Sequence, residues 1–311
     1  MNTQSNAMPE SPLESQGIAP AVIAATRPMY WSVRRELWEN RSIYIAPLAV
    51  AALILVGFLI STIHLPAKMR AALALDPMQQ HELIAQPYTF AALLIMGTTF
   101  IVAVFYCLDA LHGERRDRSI LFWKSLPVSD LTTVLSKITM PLVILPLIAF
   151  AFIVCVQVIM LLMSGVNLLM HGMNPATTFA YFPVFQNWLV MLYGLVAIAL
   201  WHAPIYGWLL LVSGWARRAT FLWAVLPLIV IQIFEKITFD THYFGKLVQH
   251  RLMGFAPHAF GFHGKGHPTI DSLVQLTPGR YLGSPDLWLG LLVAAGFLFA
   301  AIRLRRYRGP L

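Results

Sequence analysis

Long apolar stretches separated by short charged segments are the main pattern of this chain. Each stretch is long enough to cross a hydrocarbon core of about 30 Å as a helix. They cover roughly residues 43–63, 88–111, 138–163, 183–213, 219–237 and 285–303. No Asp, Glu, Lys or Arg occurs from residue 138 to residue 216, which no soluble core would tolerate. The pattern predicts an all-α integral membrane protein with six transmembrane helices, forming a single transmembrane domain over residues 27–311.

The segment before the first span has a different, amphipathic pattern. Aromatic and basic residues recur there at helical spacing, and Trp31 and Trp38 stand one heptad apart. This pattern predicts an interfacial helix over residues 28–41, lying in the plane of the membrane surface. Residues 1–26 are polar and contain no Lys or Arg, so they lack the basic start and apolar run of a secretory signal. We interpret them as a disordered cytoplasmic tail.

Composition and charge agree with the membrane class and add an orientation. Hydrophobic residues make up 58% of the chain and charged residues 12%, against about 25% charged in soluble domains. The formal net charge of +8 comes from Lys and Arg residues at the ends of the spans. This placement is typical of residues that set the orientation of a membrane protein, and we expect no nucleic-acid partner. The side holding both termini carries 15 of the 22 Lys and Arg residues. This excess predicts that both termini are cytoplasmic. We expect a multi-pass protein of a bacterial inner (plasma) membrane.

The loop between the second and third spans is the most unusual segment. Residues 112–130 combine dense charge of both signs with a short apolar run. Glu114 and Arg118 are spaced for an i, i+4 ion pair, so we expect one short cytoplasmic helix from Glu114 to Ser125. Pro127 should end that helix, and Ser129 with Asp130 should cap the next one.

These residues resemble a known family segment. Glu114-Arg115-Arg116-Asp117-Arg118-Ser119, Ser125-Leu126-Pro127-Val128-Ser129 and then Lys137 look like the intracellular coupling segment of type-2 ABC transporter permeases. In that family the segment rests in a groove on a separate ATP-hydrolysing subunit. The resemblance implies that the docking residues here are Glu114, Arg115, Arg116, Asp117, Arg118, Ile120, Leu121, Trp123, Leu126 and Pro127.

The same resemblance implies the rest of the assembly. The chain would be the permease subunit of an ATP-driven exporter, paired with a second permease subunit, the same or related, in the lipid bilayer. ATP and Mg²⁺ would be bound by the partner ATPase, so this chain is expected to have no cofactor and no enzymatic site. A phosphate-cradling GxxxxGK[ST] motif is indeed missing: the nearest match, residues 259–266, lacks the first glycine and ends in Gly264-Lys265-Gly266. Only residues 64–87 occupy the place of the large external domain found in many drug-exporting members.

Polar side chains inside the spans are the other candidate functional residues. Burial of such groups in lipid is costly, so each needs a reason. One interpretation is that they line a transport path, and the other is that they join helices by hydrogen bonds; the sequence leaves both open. The candidates are Gln157, Asn187, His202 and Gln232.

Two other functional classes are weaker alternatives. An ATP-independent secondary carrier would usually place ionisable residues in mid-membrane, and no span shows one well inside. An intramembrane enzyme is less favoured still, because His202 has no evident catalytic companion and neither HExxH nor GxSxG occurs. A group of His258, His263, His267 and Asp271 is interrupted by helix-breaking glycines and a proline, so we expect no metal site.

Overall fold

The computed structural model describes residues 28–125, 128–176, 178, 182–261 and 273–307. The predicted tail (1–26), Leu126, Pro127, His263, His267 and Asp271 lie outside the described residues. Helices dominate the described part; an isolated antiparallel bridge joins Phe260 and Leu276. The α-helices are, in chain order, α1 Pro28–Glu39, α2 Ser42–Ser61, α3 Leu65–Leu73, α4 Pro77–Asp109, α5 His112–Arg116, α6 Ser119–Ser125, α7 Asp130–Thr139, α8 Leu145–Met170, α9 Val184–Trp201, α10 Ala203–Trp215, α11 Thr220–Phe239, α12 Tyr243–Met253, α13 Phe255–Ala259, α14 Pro278–Leu282 and α15 Pro285–Tyr307.

Six of the described helical segments are long and apolar enough to cross a membrane, which confirms the all-α, six-span prediction. They are Ser42–Leu73, Gln79–Arg116, Asp130–Met170, Val184–Trp201, Thr220–Phe239 and Pro285–Tyr307. The third has 41 residues, while the fifth and sixth have 20 and 23. At about 1.5 Å per residue, the third helix measures about 60 Å along its axis, twice the thickness of a hydrocarbon core. The described part of the fold therefore combines three long helical segments with three of ordinary membrane length, since the fourth has 18 residues.

The fourth span differs from its prediction as a single helix over 183–213. The structure has two helices here, α9 and α10, which meet at His202. Pro204 accounts for the break, because it has no N–H to continue the helical ladder but is well tolerated in the first turn of a new helix. In the third span, Pro141 lies in a π-helical turn, Met140–Ile144, that joins α7 to α8.

Helices α10 and α15 pack closely in the middle of the fold. Gly207 makes this approach possible: a Cβ atom there would lie 3.3 Å from the main-chain oxygen of Ala294. An apolar cluster around Ile43, Met140 and Leu210 fills the adjoining interior, and a second surrounds Tyr88 and Ile153. The two clusters connect the first four spans.

The two ends of the helix bundle differ in chemistry. One end, called the charged end below, carries α1, α5, α6, the start of α7 and the last turns of α15. A helix is present there over most of the predicted range 28–41, as α1, which exposes Trp31 and Trp38 and buries Glu36. The opposite end carries α3, the last turns of α8 and α12–α14.

Candidate functional site

The loop between the second and third spans folds as two short helices, so the prediction of one helix from Glu114 to Ser125 is wrong. Asp117 and Arg118 separate α5 from α6, and Arg118 has a φ of 58°. A right-handed helix requires a φ near −63°, so a left-handed residue ends it. The expected Glu114–Arg118 ion pair is therefore not formed, because the Glu114 side chain points into the interior of the protein.

Glu114 belongs to a buried group of charges at the charged end, called here the ion cluster: Arg35, Glu36, Glu114, Lys137 and Arg305. The Lys137 ammonium lies 2.8 Å from Glu36 Oε1 and 3.1 Å from Glu114 Oε1. Arg305 Nη1 donates to Glu114 Oε2 over 2.6 Å. Glu36 and Lys137 are 1% and 2% exposed. Because an unpaired charge at such burial would cost several kcal/mol, these ions depend on one another.

Further donors complete the ion cluster. Tyr106 donates its hydroxyl proton to Glu36 Oε2 over 2.7 Å. Arg35 Nη2 donates to Glu36 Oε1 and to Glu114 Oε1, at 2.8 and 2.9 Å. Burial by itself disfavours the charged form of Arg35, but the carboxylates of Glu36, Glu39 and Glu114 outweigh burial and raise its pKa above the usual value. The cluster thereby joins α1, α4, α5, α7 and α15 by charge-assisted hydrogen bonds and ion pairs.

Helix α5 is also fixed to the end of α10. The Ser213 hydroxyl oxygen accepts hydrogen bonds from the main-chain N–H groups of Leu111 and His112, at 3.0 and 2.9 Å. Arg115 Nη1 donates to the Gly214 carbonyl oxygen over 2.8 Å. These bonds satisfy amide groups at the start of α5 that its own turns cannot reach.

Helix α6 has one side on the bundle and one side exposed. Ile120 is 1% exposed, and the Arg35 guanidinium lies over the Trp123 ring, 3.8 Å from its centre. Leu121 and Phe122 are 59% and 60% exposed. This exposed apolar pair is available for contact with another protein or with lipid.

The predicted docking residues therefore fall into two groups. Glu114, Arg115 and Ile120 are buried inside this chain, and Trp123 is half-buried. At the surface are Arg116, Asp117, Arg118 and Leu121. Leu126 and Pro127 lie outside the described residues. The expected cap at the next helix is confirmed, since Ser129 Oγ accepts from the Thr132 N–H at 3.0 Å.

Two of the four polar candidates within the spans lie together. Gln157 and Asn187 line one cavity of about 450 Å³ between α4, α8 and α9. Gln157 Nε2 donates to the Tyr88 carbonyl oxygen at 3.2 Å, and its Oε1 accepts from Trp188 Nε1 at 2.8 Å. Gln157 thus joins three helices and also borders the cavity, so both interpretations of this residue still apply.

The other two candidates lie elsewhere. His202 is buried at the junction of α9 and α10, with Nδ1 2.8 Å from the Ile198 oxygen and Nε2 3.1 Å from the Leu252 oxygen. A neutral imidazole has a single N–H, so at most one of these contacts is a hydrogen bond at any moment. Gln232 is exposed on α11, next to Gly245 of α12.

Sequence reasoning missed the partners that form the ion cluster. Lys137 belongs to the family-like segment, but its pairing with Glu36, 101 positions away, has no local signal in the sequence. One signal was available: Lys137 lies on the same face of α7 as the buried Val134 and Ile138. A lysine on an apolar helical face needs a carboxylate partner.

The described fold and these sites define a multi-pass helical membrane protein, one end of which is held together by buried ion pairs and hydrogen bonds. Scans against family models, curated proteins and solved structures gave no match to this chain.

Proposed function

We propose that this chain is the membrane-spanning permease subunit of an ATP-driven ABC exporter, energised by a separate ATPase subunit that docks on the loop 112–130. A second permease subunit, identical or related, would complete the transport path. The family-like segment suggests this function. The observation that carries it is the form of α6, which exposes Leu121 and Phe122 while Ile120 and Trp123 hold it on the bundle.

The contacts of the loop 112–130 with the helix bundle suggest how a movement of the ATPase subunit would be transmitted to the membrane-spanning helices. A rigid connection is needed, since a mobile loop would absorb the displacement instead of passing it on. Helix α6 contacts Arg35 through Trp123, and Arg35 is part of the ion cluster that joins α1, α4, α5, α7 and α15. Closure of the ATPase subunits would push α6 and shift the equilibrium between inward-open and outward-open states, provided the closed ATPase binds one state better.

The orientation in this proposal follows the distribution of basic residues. The charged end would face the cytoplasm of a bacterium, together with both termini, because most Lys and Arg residues flank the spans on that side. ATP is available there, so the loop 112–130 would meet an ATPase. The opposite end, with α12–α14, would face outward.

Substitution of the exposed apolar pair on α6 tests this function. Leu121→Asp with Phe122→Asp should reduce the ATPase activity that co-purifies with the chain in mild detergent at least about tenfold. Two carboxylates desolvated at an interface cost more than the 1.4 kcal/mol that corresponds to a factor of ten. Val274→Asp is the matched control, since Val274 is 82% exposed at the opposite end.

The outcomes separate the competing functions. Unchanged ATPase co-purification in the double variant would contradict docking on α6. Transport by reconstituted chain in vesicles without any ATPase would instead support an ATP-independent secondary carrier.

A further inference from the structure

Two histidines and an aspartate converge at the opposite end of the bundle, outside the site described above. His250 Nε2 lies 3.4 Å from Asp286 Oδ2, and His258 Nε2 lies 3.8 Å from the same oxygen. One ligand atom from each of the three residues fits within a 4.8 Å span. They come from α12, α13 and the first turn of α15, so 36 residues of sequence separate the most distant pair.

We propose that His250, His258 and Asp286 bind a divalent transition-metal ion of the Zn²⁺ class. Two ligands of a tetrahedral ion at about 2.0–2.1 Å lie about 3.3–3.4 Å apart. The His250–Asp286 separation of 3.4 Å matches this value, and the His258–Asp286 separation of 3.8 Å is somewhat longer. Imidazole nitrogen with carboxylate oxygen is a ligand set that suits zinc. Three protein ligands leave one coordination position open for water or another small ligand.

The surrounding residues hold the two imidazoles in place. Trp201, fully buried at the end of α9, stacks against the His258 ring at 5.2 Å and meets the His250 ring edge-on at 5.5 Å. The two histidine rings are 5.7 Å apart and nearly perpendicular. Rings positioned by packing lose less entropy when they bind an ion.

A nearby cation, Arg251, is hydrogen-bonded to main-chain oxygens beside the three ligands. Its guanidinium donates to the main-chain oxygens of Asp286 and Trp201, at 2.8 and 3.4 Å. It lies over the Trp201 ring and against Gly290, where a Cβ atom would come within 2.6 Å of it. Arg251 thus bonds to the carbonyl group of Asp286, while the Oδ2 atom of the Asp286 carboxylate faces the two histidines.

Bound metal would connect α12 and α13 to the start of the sixth span. It would lie beside the junction of α9 and α10, since Trp201 is the last residue of α9. This inference does not depend on the proposed transport function.

Titration of the full-length chain, purified without a polyhistidine tag, tests the site. Calorimetry with Zn²⁺ should show about one ion bound per chain, and Co²⁺ should give the visible absorption of a nitrogen- and oxygen-ligated ion. His250→Gln, His258→Gln and Asp286→Asn should each weaken binding at least about tenfold, the loss seen even for outer-shell partners. Zn²⁺ should also raise the unfolding midpoint of the wild-type chain, and that shift should be lost in the three variants.

Two control variants make the result specific. His242→Gln removes an exposed histidine just before α12 and should leave Zn²⁺ binding unchanged. His263→Gln with His267→Gln should do the same. The proposal is overturned if the wild-type chain binds no Zn²⁺ or Co²⁺, if the three ligand substitutions leave binding intact, or if the His263/His267 pair abolishes it. Asp286 and His250 are both about half exposed, so their variants should fold even where His258→Gln does not.

Discussion

Glu36 is the residue on which the charged end depends most. Its carboxylate receives three donors: the Tyr106 hydroxyl, the Lys137 ammonium and the Arg35 guanidinium. Buried charges of this kind add little net stability when all partners are present, but removal of one partner leaves the others uncompensated. The ion cluster therefore acts as a set of mutually dependent contacts.

Glu36→Gln should destabilise the folded chain by about 2 kcal/mol, less than the about 3–5 kcal/mol typical of a broken buried pair, because Lys137 keeps Glu114. The expected result is a lower unfolding midpoint in detergent. Glu39→Gln is a matched control on the same helix. Glu39 is 47% exposed and, among the described residues, pairs with Arg35 Nε at 3.4 Å, so its loss should cost less than about 0.5 kcal/mol. Equal losses of stability in the two variants would contradict the claim that a buried carboxylate matters more here than an exposed one.

Local signals predicted some single residues correctly and missed others. The Ser129 cap was predictable because its hydrogen bond reaches only three residues along the chain. The i, i+4 spacing predicts a Glu114–Arg118 pair, whereas the structure pairs Glu114 with Arg35, Lys137 and Arg305. Tertiary partners of this kind leave no trace in helical spacing.

At the scale of helices, the six spans were predictable because a bilayer requires continuous apolar helices of known minimum length. The break at His202 was harder to place, although Pro204 supplies its physical cause. The division of the loop into α5 and α6 was not predictable, since Arg118 is not a residue type that favours a positive φ.

The contact between α5 and α10 gives a prediction at this scale. Ser213→Ala removes the acceptor for two N–H groups, and Ser213 is fully buried, so the substitution should cost about 1–3 kcal/mol. A lower unfolding midpoint and faster proteolysis within the loop 112–130 would be the observed result. Ser125→Ala, in the exposed last turn of α6, should have little effect. If Ser213→Ala leaves both proteolysis and the midpoint unchanged, the α5–α10 contact does not stabilise the loop.

At the scale of the whole molecule, the two ends of the bundle have distinct predicted roles. The charged end binds its helices together through ions and presents α6, whereas the opposite end gathers His250, His258 and Asp286 around Trp201. Of the four polar candidates, Gln157 and Asn187 border one cavity, whereas His202 lies at the junction of α9 and α10 and Gln232 is exposed on α11. Sequence alone could not place that cavity, because its shape depends on how three separate helices pack.

Docking of an ATP-hydrolysing partner on α6 is the proposal from which the transport function follows. Photo-crosslinking in the native membrane tests this contact, with p-benzoyl-phenylalanine in place of Phe122 and, as a control, in place of Val274; both positions are well exposed. We expect the adduct at position 122, identified by mass spectrometry, to contain a soluble chain with a P-loop motif, and position 274 to yield none. No such adduct at position 122, or an equal one at position 274, would rule out α6 as the docking contact.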